Sequence, residues 1–175
     1  MDYTLRRALL AVLAVAATTT FAAPADDLKE AQRLYAQGKL PAAMEKIDAY
    51  LKELPKDAHG RFLKGLVLTE EKKNAEAILV FTALTEEFPE LPEPYNNLAV
   101  LYAAQGNYDR ARAVLELAIK TNPQYAMAHE NLGDIYAQLA GHAYERALQL
   151  DKDNASAKAK SAKVKEMTSS QRINP

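Results

Sequence analysis

Three prolines at a fixed interval constrain this chain more than any other feature. Pro55, Pro89 and Pro123 stand 34 residues apart, twice over. Their neighbours keep the same interval. Tyr50, Leu84 and Ala118 lie five residues before the proline, Ile47, Phe81 and Leu115 eight before it, and Ala43, Ala77 and Ala111 twelve before it. Ala31, Gly65, Ala99 and Gly133 follow the period as well. Self-similarity at this length marks an array of supersecondary units. A proline ring blocks helix continuation, so each unit ends near its proline. Inside a unit, Leu98, Leu101 and Tyr102 fall on one helical face, and Ala111, Val114, Leu115 and Ala118 on another. Gly38 and Gly106 stand between two such stretches, where a left-handed cap ends the first helix. Each unit therefore reads as two amphipathic helices joined by a short turn. One helix pair cannot bury its apolar face alone, and stacking the units makes a continuous core.

The run Pro94-Tyr95-Asn96-Asn97-Leu98-Ala99, followed by Tyr102, Gly106-Asn107-Tyr108, Ala111, Leu115, Ala118 and Pro123, resembles the tetratricopeptide repeat. Asn131-Leu132-Gly133 and Tyr136 begin the series again. The resemblance implies an all-α fold, a right-handed α-solenoid of helix-turn-helix repeats. Its frame places repeats at about 24–57, 58–91 and 92–125, a shortened fourth at 126–154, a capping helix at 155–167 and a flexible tail at 168–175.

Two departures from the pattern carry structural expectations. Lys72-Lys73-Asn74 stands where a turn glycine is usual, so that turn forms at some cost to its cap. In the fourth unit, Ala147 follows Ala118 by 29 residues, five under period. The inter-helix turn is therefore missing or remodelled, which predicts a long or kinked helix near Gly141 or a very tight turn. Beyond it, Asp153 and Asn154 are candidate N-caps, and Ala155, Ala159 and Ala162 make a thin apolar stripe among lysines.

The first 25 residues read as a secretory signal peptide. Arg6-Arg7 supply the positive start, Ala8–Ala17 an apolar run of ten, and Ala23-Pro24-Ala25 an A-x-A cleavage pattern. Cleavage is expected after Ala25, with Ala22 as the other site. The apolar run is shorter than the roughly 20 residues of a spanning helix, so stable membrane insertion after cleavage is not expected. The compact charged start and Ala-rich run have a bacterial character, which points to the periplasm, with outright secretion as the other destination.

Composition narrows the function classes. The net charge is −1, with 22 basic and 23 acidic side chains. A nucleic-acid partner would call for a strongly basic domain, so none is expected. There are no cysteines, which removes disulfides, thiolate metal sites and thiol nucleophiles. His129-Glu130 begins an H-E-x-x-H zinc motif, but Gly133 stands where its second histidine would be. Neither G-x-S-x-G nor a phosphate-binding glycine loop is present. No metal, cofactor or catalytic residue is assigned, and an enzyme is not expected.

The resemblance implies a partner-binding groove lined by the first helix of each pair. Its exposed inner positions are Gln32 and Tyr35, then His59, Phe62, Leu63 and Leu66, then Glu93, Asn96, Asn97 and Val100, then Met127, Glu130, Asn131, Asp134 and Gln138. Asn97 and Asn131 are singled out, because the family often sets an amide there against a ligand's backbone. Local hydrogen bonding is the other reading of both. Phe62 and Leu66 are either a hydrophobic anchor or core. The basic clamp for C-terminal carboxylates, known among cytosolic members, is not matched, since Leu28, Gln32, Glu93 and Asn97 occupy its positions. Glu93, Glu130 and Asp134 give the groove a mildly acidic cast. The function expected is a periplasmic scaffold holding a protein or peptide, in envelope or cell-wall assembly. The alternatives are a small-ligand or peptidoglycan-fragment binding protein and a self-associating oligomer.

Overall fold

The computed structural model describes residues 24–169. The expected signal sequence, up to residue 23, and the tail from residue 170 lie outside the described residues. Within them the chain forms eight α-helices and no strand: α1 (Pro24–Ala36), α2 (Leu40–Glu53), α3 (Ala58–Glu70), α4 (Asn74–Glu87), α5 (Pro92–Ala104), α6 (Tyr108–Thr121), α7 (Ala126–Leu150) and α8 (Ala155–Ser169). Each helix packs on the next, and α1 also meets α3 as α5 meets α7. This is a helical-repeat solenoid.

The 34-residue period is a burial pattern. Ile47, Phe81 and Leu115 are fully enclosed, as are Ala43, Ala77 and Ala111. Their helices α2, α4 and α6 press these residues onto α1, α3 and α5. Where Gly65 replaces alanine on α3, a β-carbon would lie 2.6 Å from the Phe81 ring. Pro55, Pro89 and Pro123 each follow the C-cap of the second helix, as their ring geometry requires.

The three inter-helix turns are built alike. Gly38 and Gly106 have φ of 70° and 74°. The Gly106 amide donates to the Ala103 carbonyl at 2.9 Å, and the Asn107 amide to the Tyr102 carbonyl at 2.9 Å. Lys72 adopts φ 62° and makes the same pair of bonds, its amide to Thr69 and that of Lys73 to Leu68. The turn without glycine therefore forms with a lysine in the left-handed region, where its β-carbon is crowded.

The fourth unit has no such turn. Ala140 stands 34 residues after Gly106, and the helix runs through it to Leu150, making α7 25 residues long. Of the outcomes expected near Gly141, the long helix is the one formed. Gly141 faces Val164 of α8, and α8 packs back along α7 with Lys165 paired to Glu145 at 3.0 Å. The Asn154 side chain caps α8 by accepting from the Ala157 amide at 2.9 Å. Because no second helix follows α7 at the usual place, Tyr136 is 50% exposed, while its counterpart Tyr102 is 5% exposed beneath Arg110 of α6.

Candidate functional site

The first helices of the units, α1, α3, α5 and α7, carry every residue expected in the groove. Helix α3 opens with the Asp57 carboxylate accepting from the Gly60 amide, and α5 opens on Pro92 after Leu91. These starts hold His59, Phe62 and Glu93 around a cleft of about 280 Å³, lined also by Ala58, Leu91 and Pro94. His59 is exposed at its mouth. Phe62 forms one wall, its ring edge-on to Phe81 at 5.6 Å, half inside the core. Leu66, one turn on, joins the two halves of the core and is half-buried. Gln32 is exposed on α1, and Tyr35 beside it is half-buried.

On α5 and α7 the expectation of exposed side chains needs correction. Asn96 and Asn131 are fully buried, Asn97 is 4% exposed and Asp134 9% exposed. Leu63 is also core. Helical spacing assigns a face but not how closely neighbouring helices approach, and α5 and α7 approach closely. The Asn131 amide nitrogen donates to the Asn96 side-chain oxygen at 2.8 Å, and the Asn96 nitrogen meets the Met127 sulfur at 3.6 Å. Glu93 and Glu130 remain exposed on α5 and α7.

Asn97 stands in α5 where Asn131 stands in α7, so its counterpart of the Asn96 partner would lie on α3. The residue there in register with Asn96 is Phe62, which offers no polar atom. The Asn97 nitrogen turns instead to the Glu93 carbonyl at 3.0 Å, and its side-chain oxygen is buried without a partner.

Burial, with the nearby Glu130 charge, pushes the Asp134 carboxyl above its ordinary range. Burial, with the Glu93 charge, does the same to the Tyr125 hydroxyl between α6 and α7. Sequence spacing missed Leu91, Pro94 and Tyr125 because they lie at helix starts and turns rather than on the repeating face. The three histidines do not converge: His129 bonds the Pro123 carbonyl, and His142 meets the Tyr108 ring. Among the described residues, no group of three or more His, Asp or Glu is placed to hold a metal. None of the described helices is long and apolar enough to cross a membrane.

Two family models, both described as tetratricopeptide repeat, match residues 28–92 and 68–134. The chain is a tetratricopeptide-repeat protein. Its curated relatives include the tetratricopeptide repeat domain-containing protein PYG7, chloroplastic, of Arabidopsis thaliana, 34% identical over 82 residues, which cover 44% of this chain and 27% of that protein. The chain spans about a quarter or less of the length of the curated relatives it matches. Among solved structures, the thermophilic tetratricopeptide-repeat protein TTC0263 of Thermus thermophilus superposes with a TM-score of 0.64 at 24% identity, over 83% of this chain and 82% of that one. A chain in the structure of Naa15/Naa10 bound to HypK-THB superposes with a TM-score of 0.55 at 17% identity, over 83% of this chain and 23% of that one. The tetratricopeptide-repeat fold is generally a protein–protein interaction scaffold rather than an enzyme.

Proposed function

We propose that this protein is a periplasmic scaffold that holds a partner polypeptide along α1, α3, α5 and α7, in envelope or cell-wall assembly. The observation that carries the reading is the cleft between α3 and α5. It gathers His59, Phe62 and Glu93, residues from two repeats, around an apolar hollow. Its volume of about 280 Å³ lies just under the roughly 300–1,000 Å³ of small-molecule sites. That suits one side chain of a longer segment better than an enclosed ligand. The export reading rests on Arg6-Arg7, the apolar run and Ala23-Pro24-Ala25.

Photo-crosslinking from His59 and Gln32 in living cells tests the groove. A polypeptide captured from both positions, and lost with Phe62→Ala, is the expected result. Capture only from the outer face of α4 or α6 overturns it. Fractionation and N-terminal sequencing test the export, with Asp26 or Ala23 as the expected first residue.

A second reading, self-association, is favoured by α7. One stripe along α7 carries Tyr136, Ala140, Ala143, Ala147 and Leu150 in alternating steps of four and three, with no charge among them and Ala140 and Ala147 half-buried. Tyr136 and Leu150 are exposed. Such a seam is self-complementary about a two-fold axis, with small residues at its centre to let two copies approach. A sedimentation coefficient independent of concentration removes this reading.

A further inference from the structure

We infer that the groove selects a cationic segment, with an apolar side chain in the α3–α5 cleft and a lysine or arginine beside it facing Glu93, Glu130 and Asp134. This deepens the proposed peptide-binding role and rests on it.

Three independent features lead here. First, charge is segregated by helix. From Pro92 to Ala104 and from Ala126 to Tyr144 the chain has no lysine or arginine, yet carries Glu93, Glu130 and Asp134. The basic residues of α3 are engaged elsewhere: Arg61 holds Glu87 of α4 at 2.8 Å and Lys64 holds Asp48 of α2 at 2.7 Å. Second, Asp134 is largely buried beside another acid, Glu130, which together disfavour its charged form, and a cation from outside relieves that. Third, Asn97 holds a buried side-chain oxygen without a donor, in the first turns of α5 next to Glu93. A buried acceptor left without a donor keeps its desolvation penalty, so the start of α5 carries an unmet acceptor as well as the Glu93 charge. The charge features ask for a cation, which lysine and arginine both supply together with N–H donors for the exposed carboxylates. The apolar hollow beside Glu93 adds the requirement for a neighbouring hydrophobic residue.

The test uses three synthetic extended peptides on one Gly/Ser background, carrying Leu-Lys, Leu-Gln or Leu-Glu pairs. Each is titrated into isotope-labelled protein and read by amide chemical-shift changes. The expected result is that the Leu-Lys peptide perturbs α3, α5 and the first half of α7, binding about tenfold or more tightly than Leu-Gln, with Leu-Glu weakest. The combined variant Glu93→Gln, Glu130→Gln, Asp134→Asn should erase the difference between Lys and Gln, while the outer-face variant Glu86→Gln should preserve it. If all three peptides bind the groove equally, the cationic preference is wrong and the groove reading survives. If none perturbs α3, α5 or α7, both are wrong. The peptide series on the unmodified protein decides the matter even if the combined variant fails to fold.

Discussion

The Asn131 amide reaches back one repeat to the Asn96 oxygen, 2.8 Å away, joining α7 to α5 through two fully buried polar side chains. The two residues are 35 apart, one more than the period, because a side chain on one repeat meets the helix of the previous repeat slightly out of step. Replacing Asn131 by Ala leaves the Asn96 oxygen enclosed with a lost donor. The expected cost is about 1–3 kcal/mol. In urea unfolding, the Asn96→Leu, Asn131→Leu pair should be less destabilised than the sum of its single variants, since both polar groups leave together. Strict additivity would show that the bond is not shared.

Lys72 is a position where glycine should strengthen the fold. Its left-handed φ of 62° crowds the β-carbon, at a cost of roughly 1–2 kcal/mol. Glycine removes that strain but loses more freedom on folding, by about 0.5–1 kcal/mol. Lys72→Gly is therefore expected to raise stability by about 0.5–1 kcal/mol, and Gly106→Ala to lower it. Midpoints of chemical denaturation check both signs.

Gly65→Ala pits two effects against each other. Alanine gains about 1 kcal/mol in helix propensity. Against that, its β-carbon would sit 2.6 Å from the Phe81 ring, which is fully enclosed. Overpacking of this kind costs about 1–3 kcal/mol, and here the upper end applies. A net loss of about 1–2 kcal/mol is expected, rescued in part by Phe81→Leu.

Asp134 gives the fold a pH dependence of known sign. Burial first, and the Glu130 charge second, raise its pKa above the ordinary 3.8. A carboxyl raised in the folded state favours folding only while protonated. Its contribution is complete below the unfolded value and is lost as pH rises through the folded value. Asp134→Asn should therefore raise the melting temperature at neutral pH, with the gain shrinking toward zero as pH falls below 3.8. A gain that persists unchanged in acid would mean that desolvation of the carboxylate is not its source.

Most of the array was legible in the sequence because burial repeats where the residues repeat. Ile47, Phe81 and Leu115 needed only their spacing to be assigned to the core, and the five-residue deficit before Ala147 announced a missing or remodelled turn without choosing between a long helix, a kinked one and a very tight turn. The amides and Asp134 were a different matter. Spacing put them on the first helices of the units, yet whether a residue there is open or sealed depends on how far apart adjacent first helices stand. The orphan oxygen of Asn97 follows from what its neighbour lacks: Phe62 stands in the register where Asn96 serves Asn131. Each repeat alone is ordinary, and only the pairing across repeats distinguishes them.

The fused helix α7 changes how the array comes apart. In a regular solenoid each turn is a place where one terminal helix can peel away, so an end frays in small steps. Here the last first-helix and the segment beneath the cap are one rod of 25 residues, about 37 Å long at 1.5 Å per residue. Its first half is bolted to α5 by the Asn131–Asn96 bond, and its second half carries α8. Once α8 peels away at the turn after Leu150, the rod itself offers no inner turn at which to fray, and it protects the acidic stretch of the groove from local melting.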